Sequence, residues 1–159
     1  MSTVNLPPDN ELRNLYRELI IDHARSPRHF GKLTSATHAA QGINTLCGDK
    51  LHLYLQLDAE RRIIDASFEG SGCAISVASA SLLTETVIGM HALDALEYFA
   101  AMTRQLTTED CGQAQDIDLG TLSALLSVRE FPARVKCATL PWHALNSAIH
   151  NQATPATTE

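Results

Sequence analysis

The sequence contains no apolar run that approaches the roughly 20 residues of a membrane-spanning helix. No membrane partner is therefore expected. Nor is there an excess of basic charge. Twelve Lys and Arg stand against eighteen Asp and Glu, a formal net charge of −6. A nucleic-acid face normally needs the opposite balance, so no nucleic-acid partner is expected either. No Cys-x-x-Cys pair is present, which removes the local mark of a zinc ribbon or a dithiol redox motif. No internal repeat and no second domain are visible. The opening residues 1–8 have neither a basic start nor an apolar core, and do not read as a secretory leader. The four cysteines are accordingly expected in a reducing cytoplasm, where thiols bind metal or do chemistry more often than they form disulfides.

The 159 residues suit one domain. A chain of this size buries about 68–70% of its unfolded surface, so it needs no staple merely to fold. The expected domain spans residues 1–150, and the Thr/Ala/Pro-rich residues 151–159 read as a loose tail. Leu12, Leu15, Tyr16, Leu19, Ile20 and His23 recur at helical spacing after a cap at Asp9 or Asn10, until Ser26-Pro27 stops the helix. Residues 28–40 read as a loop. Leu51, Leu53, Leu55 and Leu57 alternate with polar or amphipathic residues, the period of a half-buried strand. A turn at 58–61 leads to a second strand over 63–69, with Ile64, Ala66 and Phe68 predicted on one face, and residues 41–46 can add a third. Helices are predicted over 74–88, ended by Gly89, over 91–106, and briefly over 119–128. A last helix either starts just after Cys137 or is kinked at Pro141, because proline is tolerated only in a first turn. The predicted class is α+β: a small three-stranded antiparallel sheet packed against five or six helices.

Three cysteines fall at predicted element ends: Cys47 in Leu46-Cys47-Gly48-Asp49, Cys73 in Gly70-Ser71-Gly72-Cys73, and Cys137 after Lys136. Glycines beside Cys47 and Cys73 let the backbone approach an ion. A thiol at a helix N-terminus or beside Lys136 has its thiolate favoured. Asp49, two residues after Cys47, can add a carboxylate oxygen. Three thiolates and one carboxylate make a sensible tetrahedral zinc set. Buried cysteines that only fill space remain the alternative. Cys111 has no recognisable partner and reads as an incidental thiol outside the site. His23 and His29 read as capping or packing residues. His52 lies on the polar face of its strand, within possible reach of Cys47. Asp22, Arg25 and Arg28 read as solvated helix-end charges.

Four segments, taken together and in order, resemble the iron–sulfur cluster assembly proteins of the IscU/NifU family. They are Leu15-Tyr-Arg-Glu-Leu-Ile-Ile-Asp-His-Ala-Arg-Ser-Pro-Arg-His29, Cys47-Gly-Asp49, Phe68-Glu-Gly-Ser-Gly-Cys-Ala-Ile-Ser-Val-Ala-Ser-Ala-Ser81 and Arg134-Val-Lys-Cys-Ala138. The resemblance covers residues 12–149 and implies the SufE/NifU-like fold. Lys136-Cys137 stands where IscU scaffolds carry His-Cys, and residues 90–128 hold an additional stretch of about twenty residues of the kind seen in the SufU branch. Glu130-Phe-Pro-Ala-Arg134 keeps only Pro132 and a basic end of the scaffold motif that engages a dedicated Hsp70. The SufU resemblance implies zinc held by Cys47, Asp49, Cys73 and Cys137. It also implies a pyridoxal-phosphate (PLP) cysteine desulfurase as partner, with Cys47 as sulfur acceptor and a downstream cluster scaffold or apo acceptor protein receiving the sulfur. Lys136, an ammonium that cannot coordinate, is expected by its charge to lower the Cys137 thiolate pKa and attract the anionic persulfide during transfer. The alternative the resemblance carries is a scaffold for a transient [2Fe–2S] cluster on the same residues.

Overall fold

The structure is a computed structural model and describes residues 9–107, 119–151 and 156–157. Helix α1 (Asp9–Arg25) precedes strands β1 (His38–Asn44), β2 (Asp49–Leu57) and β3 (Ile63–Ser71). Helices α2 (Ala74–Val87) and α3 (Ala92–Thr107), a 3₁₀ helix (Gly120–Val128), α4 (Pro132–Ile149) and the short β4 (Ala156–Thr157) follow. None of the described helices is long and apolar enough to cross a membrane.

The sheet order is β3-β2-β1-β4. The first three strands are antiparallel, as predicted, and β1 begins three residues earlier than the sequence suggested. The difference lies at the edge. Ala156 and Thr157 pair in parallel with Gly42 and Ile43, so the sheet is four-stranded and mixed, and the composition that reads as a loose tail contains a strand. The leucine alternation holds: Leu51, Leu53, Leu55 and Leu57 are all buried. On β3 the prediction fails for Ile64. Leu57 pairs with Ile63 while Gln56 pairs with Asp65, so a bulge skips Ile64 and turns it outward. Ile63 takes its place in the core.

The inner face of the sheet is covered by α2 and α4. Helix α2 is rich in small residues and is buried from Ala78 through Thr84, so it can sit between α1, β3 and α4. Helix α4 starts at Pro132 and runs through Pro141, so of the two alternatives a start after Cys137 is the one that fails. Proline is cheap at Pro132, where the amide would have no helical partner. At Pro141 it removes the hydrogen bond to the Cys137 carbonyl. Burial of Trp142, Leu145 and Ile149 on the same helix offsets that loss, as does the bond from Ser79 Oγ to the Ala138 carbonyl at 2.6 Å.

His23 locks α1 onto α2. Ser81 Oγ accepts the Arg28 N–H at 2.8 Å and so donates its own hydrogen to His23 Nδ1 at 2.7 Å. His23 Nε2 faces Glu85 at 3.5 Å. Burial, followed by the positive charge of Arg28, holds this imidazole below its ordinary value, against the opposing pull of Glu85 and Asp22. Burial lowers His38 and His143 as well. These groups stay neutral in the fold but gain a proton in the unfolded chain near pH 6.5. Stability is therefore complete above that pH and is lost as the pH falls below it. Urea unfolding at pH 7.5 and pH 5.5 should show the drop, and His23→Leu should flatten it. An equal slope in the variant would remove His23 from this account.

Candidate metal centre

Three loops and element ends build one site. The turn 45–48 between β1 and β2 carries Cys47. Gly48 closes it with φ +69, a conformation that glycine adopts without a Cβ clash. Asp49 opens β2 and pairs across the ladder with Asn44, the last residue of β1. Cys73 is the N-cap residue of α2. Cys137 lies in the second turn of α4 and is fully buried.

The ligand atoms of Cys47, Asp49 and Cys137 lie within 4.8 Å of one another. Cys73, the fourth expected member, stands outside that span. It still adjoins the group. Its N–H donates to Asp49 Oδ1 at 2.9 Å, and its thiol lies near enough to Cys137 to raise that thiol's pKa. Ser76 Oγ also donates to Asp49 Oδ1, at 3.2 Å. Asp49 is 1% exposed, and its second oxygen, Oδ2, is buried with no hydrogen-bond partner. A buried carboxylate oxygen left unpaired is costly. One oxygen fixed by hydrogen bonds and one left free beside two thiols is the arrangement of a carboxylate ready to ligate. Gly72 leaves room for it, since a Cβ there would collide with Asp49 Oδ1 and Ser76 Oγ. By donor chemistry and by this orphaned oxygen, the residues fit a borderline-soft dication such as zinc.

Burial works against the expectation of a favoured thiolate at Cys137. Its thiol is pushed up, first by burial and then by the crowding of Cys47, Asp49 and Cys73 around it. Lys136 is not among the causes. Successive helix residues point about 100° apart. With Cys137 facing the sheet, Lys136 lines a separate cavity of about 500 Å³ with Arg129, Thr139 and His143, and none of the three site cysteines lines it. Cys111 lies outside the described residues. His52 stays on the outer face, its ring stacked on Tyr54 at 4.5 Å. His29 bonds to Thr84 Oγ1 at 3.1 Å, a packing role. Asp22 and Arg28, read as solvated charges, pair at 2.6 Å on the surface.

Sequence reasoning missed two residues of the site. Ser76 could have been found from its position three residues after a helix-capping Cys73. Asn44 carries no sequence signal except its place three residues before Cys47.

The chain matches the family model described as the NifU-like N terminal domain over residues 15–138. The chain belongs to that family. This family match spans α1 through the second turn of α4 and includes Cys47, Asp49, Cys73 and Cys137. Among similar proteins, one of Bacillus subtilis (strain 168) named zinc-dependent sulfurtransferase SufU is 40% identical over 141 residues, covering 87% of this chain and 91% of its own. One of Streptococcus pyogenes serotype M1, named iron–sulfur cluster assembly scaffold protein IscU, is 38% identical over 144 residues, covering 91% and 88%. The crystal structure of a NifU-like protein (N-terminal) from Brucella abortus superposes with a TM-score of 0.74 at 26% identity, covering 88% of this chain and 95% of that one. The resemblance read from the four motifs is therefore correct, and the fold is that of the NifU-like domain.

Proposed function

We propose that this NifU-like domain works in iron–sulfur cluster assembly, in the cytoplasm, as a zinc-dependent sulfur acceptor. The observation that carries the reading is the split in exposure across the donor set. Asp49 and Cys137 are buried, whereas Cys47 and Cys73 are half-buried, and of these two Cys47 sits at a hairpin tip beside Leu46, which is 73% exposed. A docked partner can therefore reach Cys47 while the deeper donors keep their places. The Bacillus subtilis relative's name supports the same assignment.

In this reading Cys47, Asp49, Cys73 and Cys137 hold the ion. Zinc, when bound, keeps the thiols deprotonated and geometrically fixed and brings no redox chemistry of its own. The donor is the persulfide of a pyridoxal-phosphate cysteine desulfurase. The Cys47 thiolate attacks its outer sulfur, a new sulfur–sulfur bond forms to Cys47 as the donor's bond breaks, and the donor cysteine departs as thiolate. No net oxidation occurs. Lys136 cannot ligate, being a cation, and because it is turned away from Cys137 its part in this reading is the long-range attraction of an approaching anionic persulfide. The sulfur then passes to a downstream scaffold or apo acceptor protein.

A second reading keeps the same donors for a transient [2Fe–2S] cluster as cargo, and is favoured by the IscU name of the Streptococcus pyogenes relative. Metal analysis of protein purified without air separates the two. Stoichiometric zinc and no visible absorbance supports the first, and iron and sulfide in near-equal amounts supports the second. The decisive experiment is desulfurase turnover with and without the protein. Wild type should stimulate turnover, Cys47→Ala should return it to the level of the desulfurase alone, and Lys136→Ala should reduce stimulation with metal content unchanged. Full stimulation by Cys47→Ala would end the acceptor assignment.

A further inference from the structure

Asn44 is fully buried, though its side chain is a primary amide. It closes the β1–β2 ladder opposite Asp49, so the last rung before the Cys47 turn carries one amide and one carboxylate, both buried. The Asn44 Nδ2 group faces Cys137 Sγ at 4.0 Å. Its carbonyl oxygen Oδ1 is buried without a hydrogen-bond partner. The core does not use this amide for packing alone, because a buried carbonyl left unpaired is a cost that a leucine of similar shape would avoid.

We infer that Asn44 is a positioning residue for the metal centre: its N–H donates to the sulfur of Cys137 and holds that thiolate in its ligating orientation. The inference rests on the proposed metal site. The chemistry selects the amide's orientation. A thiolate repels a carbonyl oxygen and accepts from an N–H, so the form with Cys137 deprotonated keeps Nδ2 towards sulfur. The remaining neighbours of that sulfur are the Ala133 carbonyl at 3.5 Å, which can accept from a thiol but offers a thiolate nothing, and the fellow ligands Cys47, Asp49 and Cys73, which once ligating have no proton to donate. A set of thiolates with a carboxylate carries more negative charge than one dication cancels. An amide donor offsets part of that excess at the most buried sulfur. Outer-shell groups of this kind orient ligands and typically change metal affinity 10–100-fold.

The test uses Co²⁺ as a spectroscopic probe in the full-length protein. Wild type should bind one equivalent. Asn44→Leu should also bind one equivalent, with far-ultraviolet circular dichroism unchanged, with affinity reduced roughly tenfold or more, and with its sulfur-to-cobalt charge-transfer band moved to lower energy, because a sulfur without the N–H is more electron-rich. Affinity loss without a band shift would assign Asn44 a merely structural part and overturn the inference. If Asn44→Leu does not fold or load, ¹⁵N-labelled wild type loaded with ¹¹³Cd²⁺ decides. The Asn44 side-chain amide proton should show scalar coupling to cadmium through the hydrogen bond, and no coupling would overturn the inference. Wild type that binds neither Co²⁺ nor Cd²⁺ stoichiometrically would instead strike the metal site itself, and this inference with it.

Discussion

Asp49→Ala should destabilise the protein even in the presence of a chelator, by roughly 3 kcal/mol or more. Asp49 does two things at once. Its Oδ1 accepts from the Cys73 N–H and from Ser76 Oγ, which fastens the N-terminus of α2 to the start of β2. Hydrogen bonds to a charged group contribute about 1.5–3 kcal/mol each, and a carboxylate is favoured at a helix N-terminus. Alanine removes both bonds and leaves the part-buried Cys73 amide without its acceptor, while the Ser76 hydroxyl keeps the Cys73 carbonyl at 3.0 Å. Asp49→Asn separates the two roles. It keeps one oxygen for Cys73 and Ser76, so most of the stability should return. Its amide nitrogen replaces the free oxygen that faces the thiols and cannot ligate, so zinc should still be lost or bound much more weakly. Urea unfolding in chelator, with zinc stoichiometry measured in parallel, checks both halves. If Asp49→Ala is as stable as wild type in chelator, then Asp49 is a ligand only and the fastening is not real.

Much of this could be read from the chain, and the failures have identifiable physical causes. The alternation of Leu51 to Leu57 fixes which face of β2 is inward, because strand side chains alternate with period two. The same rule misplaced Ile64, since a bulge changes the period locally and leaves no mark in a single strand's sequence. For α4 two alternatives stayed open, a start after Cys137 or a helix carried through Pro141, because Pro141 reads as a helix breaker, and the second is what the structure has. Tertiary burial of Trp142 and its neighbours outweighs one missing hydrogen bond, a balance that local rules do not contain. At the site, the glycines and thiols beside Asp49 were legible as a donor set. The depth of each donor was not. Cys137 is buried whereas Cys47 and Cys73 are half-buried, and that difference in depth is what the proposed transfer to Cys47 draws on. Lys136 was linked to Cys137 by adjacency, but helix geometry sends adjacent residues in different directions. Asn44 was invisible because sequence does not show that a polar side chain is buried.

Removing the metal should lower the melting temperature by roughly 10 °C without unfolding the protein. A ligand present at a thousand times its dissociation constant stabilises by about 4 kcal/mol. At about 150 residues each kcal/mol corresponds to about 2–4 °C. The core does not depend on the ion. Trp142, Leu53, Leu55, Leu82 and Leu83 are buried between the sheet and α2 and α4, and none of them is a donor. The centre instead ties three peripheral pieces together: the turn 45–48, the first turn of α2 and the beginning of α4. Without a cation, Asp49 Oδ2 is left buried and unpaired, and the cheapest relief is to open the turn to water rather than to unfold the domain. Calorimetry with and without chelator should show the shift, while circular dichroism keeps its helical signal. Hydrogen exchange should quicken at residues 44–49 and 73–76 and stay slow in β2 and the middle of α4. Loss of the helical signal on chelation would mean that the ion, and not the core, holds this fold together.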